Sequence, residues 1–474
     1  MILNVSKYLT LAVLCAELFS NVLNADSSPV GLKSPPSLVI SSGKSVDMNN
    51  TLEANVSAAA SEIVIPISNA NNVTLKSIVV SSIDSNYRVK QAQERVKQAD
   101  SFIREAVADF LPQVSLTSDM MRKKYEGFEP QDYAQSSYGF TTSYNVFSSG
   151  KHWVGIEKNK ILKKEQEEKL KGTKEEEINK IIDAYFSVVY GKLSMDANKK
   201  NYEKLFKIFE IVKTKRELGA ATMGDESSIS ASVSNAKTAM TNTESAYNNA
   251  KDYYEFLTDK KVSEATPYEL GFDINLESIE AIVEKMQSGN TDINVIKTQI
   301  NAKQKEIYIN KANDWPTIDL SFTDTRRSRY DFNQQADGDN NDLWLQLTLN
   351  YTLYTGGRTE AKTARLMSEA SERGYNLEYT SKDLKWNTQK LYNSVQTNTN
   401  TLKTLQDEIV SSEKMADAYW ERFRLSSQDL VTLLQAQRQV NSAELEKLRS
   451  EKTRIIDYFN LLTKQGKLLE YFEF

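Results

Sequence analysis

Tyr144-Asn145-Val146-Phe147-Ser148-Ser149-Gly150-Lys151 returns later in the chain as Tyr351-Thr352-Leu353-Tyr354-Thr355-Gly356-Gly357-Arg358. In both stretches an alternating apolar–polar pattern stops at a glycine, a basic residue follows, and a long helical pattern opens. Gly150 and Gly357 stand 207 positions apart. Outward from these junctions, Leu111-Pro112-Gln113-Val114-Ser115-Leu116 is echoed by Trp315-Pro316-Thr317-Ile318-Asp319-Leu320, with the prolines 204 apart. The chain is therefore a duplication of about half its length. A repeat at a fixed spacing takes precedence over local readings.

Before each proline the pattern is helical. Val89, Val96, Ile103 and Phe110 recur every seven residues with Ala92, Ala99 and Ala106 between them, a seam that lets helices approach closely. Ile293, Ile296, Ile300 and Ile307 take the same frame in the second copy, and Asn86 corresponds to Asn290. The helix is expected from Leu75 onward. Pro112 and Pro316 break helix into strand, since proline lacks an N–H and restricts the residue before it.

After each proline the period is two. Val114, Leu116 and Met120 alternate with Gln113, Ser115 and Asp119; Leu343, Leu345, Leu347, Leu349, Tyr351 and Leu353 alternate with Gln346, Thr348, Asn350 and Thr352. Two hairpins are expected, over 113–148 and 317–354. One face is leucine-rich and the other is Thr, Asn and Gln, which suits strands with lipid on one side and water on the other. Tyr133, Tyr138, Tyr144, Trp344, Tyr351 and Tyr354 lie near strand ends, as interfacial aromatics do. Four strands cannot close a barrel, which needs about eight. Open edges are not tolerated in lipid. Closure would need several chains; three would supply twelve strands, although the geometry alone leaves the number open.

Beyond Gly150 and Gly357 the helical patterns run over 151–220 and 358–424, each on the order of 100 Å long. Each ends in a short polar turn and returns, to about 258 and 468.

The remaining inventory excludes most chemistry. Of 474 residues only Cys15 and His152 are cysteine and histidine, so no disulfide framework, Cys/His metal cluster or His-based triad can be assembled. No catalytic residue, cofactor or metal site is expected. The net charge of −5 comes from balanced counts, 59 basic and 64 acidic, which argues against nucleic acid as a partner. Cys15 lies in the apolar core of an expected signal peptide, 1–25, opened by Lys7 and closed by Ala25. Leu14 departs from the small residue that a lipidation site needs before the cysteine. Residues 26–74, rich in Ser, Asn, Ala and Val, read as a flexible extension. The two repeats follow, 75–270 and 271–474.

From about residue 75 to the end, the chain resembles the TolC-like outer-membrane efflux and secretion channels. The resemblance rests on Phe110-Leu111-Pro112, on the strand–Gly–basic–helix junctions, and on the turn from Leu425 to Ala436 followed by Gln437-Arg438. It implies a mainly α fold with a β-barrel portion. A long α-helical coiled-coil barrel in the periplasm would continue a twelve-stranded outer-membrane barrel made by a homotrimer, four strands per chain. It further implies a passive conduit, embedded in outer-membrane lipid, met at its far end by a periplasmic adaptor and an inner-membrane transporter of ABC or RND type. The barrel–tunnel junctions are Pro112, Gly150, Pro316 and Gly357. The turns that would receive the adaptor are Leu218-Gly219-Ala220 and Leu425-Ser426-Ser427; the second departs from the family pattern, with serine for glycine. Tunnel-mouth candidates are Asp225, Glu226, Asp429, Thr432 and Gln435. Where constricted relatives carry a ring of aspartates, this chain has Thr432 and Gln435. Asp225 and Asp429 read equally as helix caps. Arg326, Arg327 and Arg329 read as a solvated outer loop or as contacts to anionic lipid. The pattern does not separate drug efflux from type I secretion. A soluble periplasmic coiled-coil scaffold without a pore is the alternative, but it leaves the four symmetric strands unexplained.

Overall fold

In the computed structural model the described residues are 65–67, 75–128, 131–265, 274, 276–332, 336–425 and 429–474. They fall within the unit Glu62–Phe474. The expected signal peptide and most of the expected extension lie outside the described residues.

The chain runs β1 (Ile65–Ile67), α1 (Leu75–Ser85), α2 (Tyr87–Ala108), β2 (Gln113–Tyr125), β3 (Gln131–Phe147), α3 (Lys151–Glu217) and α4 (Met223–Thr258). It continues β4 (Val262–Ala265), α5 (Ile279–Gly289), α6 (Thr291–Lys311), β5 (Thr317–Asp331), β6 (Ala336–Asn350), α7 (Arg358–Arg424), α8 (Leu430–Lys464) and α9 (Leu468–Phe472). The duplicated order helix, hairpin, 67-residue helix, return helix holds in both halves.

Three local differences from the sequence reading have plain causes. The first helix is broken: Asn86 is extended and its side chain caps α2, accepting from the N–H groups of Arg88 (2.8 Å) and Val89 (3.1 Å). Asn290 does the same for α6 through Asp292 and Ile293. Capping side chains satisfy donors that a helix start leaves orphaned. The second hairpin stops at Asn350, not at 354, because its last partner is Thr317 and the Pro316 before it has no N–H to extend the ladder. Finally, β1 and β4 pair in parallel as a small separate sheet with α9 nearby, which carried no repeat signal, whereas α5 stands 204 positions after α1, the offset that also relates Asn290 to Asn86.

The four long strands form one antiparallel sheet in the order β2-β3-β5-β6. The helices that lead into and out of it keep that order: α2 packs on α3, α3 on α6, and α6 on α7. The wall below the sheet is therefore one helix thick at first, and its buried apolar residues lie in the seams between neighbours. Further down, α4 and α8 return against α3 and α7 and the packing thickens. There Ile178, Ile181, Ile182, Phe186 and Val188 of α3 meet Ile83, Tyr254, Phe459 and Phe472 in the largest buried cluster. Nearer the far turns a second cluster joins Val212 and Ile229 of one helical hairpin to Phe423, Leu430 and Leu433 of the other.

The thin part of the wall carries buried polar groups. On α3, Glu165, Glu168 and Glu175 are buried at positions 165, 168 and 175, a seam spacing that faces α6. Glu165 accepts from the Gln299 side-chain amide (2.8 Å) and pairs with Lys169 (2.6 Å). Glu168 pairs with Lys171 (2.9 Å), and Glu175 accepts from the Thr291 hydroxyl (3.0 Å). Burial pushes the Glu175 carboxyl up to about 7, against the opposing pull of Thr291.

Candidate conduit, junctions and tip

The register of the sheet sorts its side chains into two faces. Leu116 lies opposite Phe140, Leu320 opposite Leu347, Phe322 opposite Leu345 and Ile318 opposite Leu349. On this face the leucines of β2 and β6 stand uncovered: Leu345 is 70% exposed and Leu116 79%. The other face holds Ser143, Thr141, Ser321, Thr323, Gln346 and Thr348, with Thr141 and Thr323 joined hydroxyl to hydroxyl at 3.3 Å. A leucine face this exposed costs heavily in water and nothing in lipid. The three arginines of β5 are split by the same alternation. Arg326 falls on the apolar side. Arg327 and Arg329 fall on the polar side, where Arg327 pairs with Asp342 (2.7 Å) and Arg329 with Asp331 (3.6 Å). Among the described residues no helix is long and apolar enough to cross a membrane, and no cluster suits a metal ion.

At both junctions two successive residues take the left-handed conformation: Ser149 (φ 54°) with Gly150 (φ 76°), and Gly356 (φ 67°) with Gly357 (φ 75°). Side chains with a β-carbon pay for this conformation, so glycine at the helix start is a geometric requirement. Ser149 is held in place because its hydroxyl donates to the Pro316 carbonyl (2.8 Å). That bond ties the first junction to the proline that opens the second hairpin. His152 packs edge-on to Phe110, with ring centroids 5.5 Å apart.

The far turns of the helical hairpins sit together. Lys215 at the end of α3 donates to the Phe423 carbonyl (2.9 Å) at the end of α7 and covers its ring. Leu218 and Leu425 are each 78% exposed. Gly219 takes φ 74°, and the N–H groups of Gly219 and Ala220 return to the carbonyls of Arg216 and Lys215, closing α3 with a Schellman turn. Ser426 and Ser427 lie outside the described residues. The acidic candidates have local partners. Thr222 and Asp225 form a reciprocal capping box at the start of α4, and the Thr222 hydroxyl holds the Asp225 carboxyl below the usual carboxylate range. Glu226 pairs with Arg216 (2.6 Å). Asp429 caps α8, accepting from Val431 N–H (3.1 Å). Thr432 is half-buried and Gln435 exposed.

Sequence reasoning missed Thr222 and Lys215. A Thr-x-x-Asp spacing could have revealed the first. Nothing local reveals the second, whose partner is 208 positions away.

The sequence matches the outer membrane efflux protein family over residues 79–252 and 282–466. It is 18% identical over 365 residues to outer membrane protein TolC of Vibrio cholerae, covering 76% of this chain and 83% of that one. Among solved structures, the fold is similar to CusC, a protein described in terms of transmembrane channel formation (TM-score 0.73, 14% identity, 84% of this chain and 95% of CusC). It is similar also to the outer membrane protein VceC of Vibrio cholerae (TM-score 0.70, 15% identity, 83% and 96%). The protein is thus of the outer membrane, with its helical part in the periplasm, and is a conduit type rather than an enzyme. The chain belongs to the outer membrane efflux protein family.

Proposed function

We propose that three copies of this chain close into a continuous duct through which cargo leaves the cell, as the outer-membrane part of a tripartite export system. The observation that carries this reading is the open sheet. Its outer strands β2 and β6 each have a neighbour on one side only among the described residues. In lipid such edges must be paired, so the sheet needs other copies of itself. At least two copies are required to reach about eight strands; the resemblance to the TolC-like channels supports three.

The helices support the same closure. With sheet order preserved in the wall, α2 and α7 are the edge helices. On α7, Leu366, Leu384 and Val395 are buried. At about 100° per residue the opposite side carries Ser371, Tyr375, Tyr379 and Trp386. Tyr375 is 73% and Tyr379 70% exposed. An aromatic stripe diametrically across from the packed seam is where the next wall helix, α2 of another copy, would lie.

The repeats would be 75–270 and 271–474, with 1–25 as signal peptide. The duct needs no cofactor, and energy would come from an inner-membrane transporter of ABC or RND type through a periplasmic adaptor. The adaptor would meet the exposed turns at Leu218-Gly219-Ala220 and Leu425-Ser426-Ser427. Asp225, Glu226, Asp429, Thr432 and Gln435 would lie at the tunnel mouth, with the first three also serving the helix ends. An adjacent gene for an ABC exporter would favour protein secretion, and one for an RND pump would favour drug efflux. The purified protein is expected to have the mass of a trimer in detergent and to conduct ions in a planar bilayer. A monomeric, non-conducting protein in the soluble fraction would overturn the reading.

A further inference from the structure

The two outer strands of the sheet differ in charge. β2 carries three cations in succession, Arg122, Lys123 and Lys124, against one carboxylate, Asp119. β6 carries Asp337, Asp339 and Asp342 and no cation. Both charged segments lie toward the loops, at the end of each strand farther from the helices. The inner strands are near balance: β5 holds three arginines and three aspartates, and β3 a single aspartate.

Partners within the copy use only part of this charge. Arg122 pairs with Asp132 and Lys124 with Glu126, yet both cations keep more than half of their side chains exposed. Lys123 is exposed and makes no ion pair among the described residues. On β6, Asp342 pairs with Arg327, while Asp339 is exposed and makes no ion pair among the described residues.

A sheet edge offers unpaired N–H and C=O groups to any strand that reaches it, and side-chain charge helps decide which strand is accepted. β2 and β5 run one way, β3 and β6 the other. β2 of one copy beside β6 of the next therefore continues the antiparallel order and sets the basic and acidic segments side by side. β2 against β2, or β6 against β6, sets like charge on like. Closure staggers the facing residues, so the match is between segments and not between fixed pairs.

We infer that the basic segment 122–124 of β2 docks on the acidic segment 337–342 of β6 in a second copy of this chain, and that this charge match selects the head-to-tail closure of the sheet. This rests on the duct reading and names the contact that closes it. Each copy gives one basic and one acidic edge, so the contact repeats around a ring. Before closure the same charges keep identical edges apart. The segments lie past the leucine rows, where salt screens them.

The test is charge reversal, read as the fraction of protein that refolds from denaturant into the assembled form in detergent at low salt, with mass taken by light scattering. Lys123→Glu with Lys124→Glu reverses the basic edge, and Asp337→Lys with Asp339→Lys reverses the acidic one. Each pair alone should lower the assembled fraction by at least about twofold, because like charges then face each other. All four substitutions in one chain should restore it, which separates a lost match from a lost fold. Single-edge variants that assemble as the wild type does, or a four-fold variant that assembles no better than they do, would overturn the inference and leave the duct reading standing. A wild-type protein that stays monomeric overturns both.

Discussion

Glu175 shows how a single residue can couple this tunnel wall to pH. It is buried in the seam between α3 and the start of α6, and Gly172, one turn earlier, leaves room there for Thr291. Burial favours the neutral acid, raising its value from 4.5 to about 7. The folded state therefore binds the proton more tightly than the unfolded chain. The stabilisation is complete below about 4.5 and is lost as pH rises through about 7. A shift of this size corresponds to about 3 kcal/mol. Melting midpoints measured at pH 5 and pH 8 should differ, with the higher value at pH 5 from this group. Glu175→Gln should remove that part of the difference, because glutamine keeps an acceptor for Thr291 and cannot ionise. A pH dependence identical in the variant would show that the seam is hydrated and the burial is not felt.

At the scale of elements, the strands are the parts whose environment is least ambiguous. Leu347 and Thr348 are neighbours on β6 and face opposite ways. Leu347→Arg should cost about 2–4 kcal/mol near the membrane midplane and reduce insertion. Thr348→Arg, facing the bore, should insert normally. The comparison is read as the fraction of protein recovered in outer membranes, and equal recovery of both variants would contradict the assignment of faces. The long helices behave differently. Their 67 residues carry little overall amphipathic bias, because successive stretches face different neighbours: α2 and α6 near the sheet, α4 and α8 farther down.

For the whole molecule, the open edges are decisive. If α7 lies against α2 of the next copy, Tyr375→Arg with Tyr379→Arg should lower the temperature at which the assembly dissociates in detergent. The same pair should leave the sheet intact, since both residues lie on α7, outside it. Light scattering during a thermal ramp would report the first, and strand content by circular dichroism the second. An unchanged dissociation temperature would place the seam elsewhere.

The duplication, the four strands, their two faces and the two helix-starting glycines were legible in the chain itself. Each depends on local rules: period two, period seven, the missing N–H of Pro112 and Pro316, and the left-handed backbone at Gly150 and Gly357. Asn86 and Asn290 were visible as a matched pair, and their role as helix breaks follows from the same local chemistry. What only the tertiary structure decided is whatever depends on a partner far away in sequence. The β1–β4 pairing joins segments about 200 residues apart. Lys215 finds a carbonyl 208 positions on, and Asp319 is held by Asn145 across 174. Whether Asp225 and Asp429 cap helices was open on composition, and only the observed hydrogen bonds showed that they do. Local sequence limits the backbone conformations available to each residue, but it does not specify which distant side chain will meet it, because that depends on how all the elements pack together.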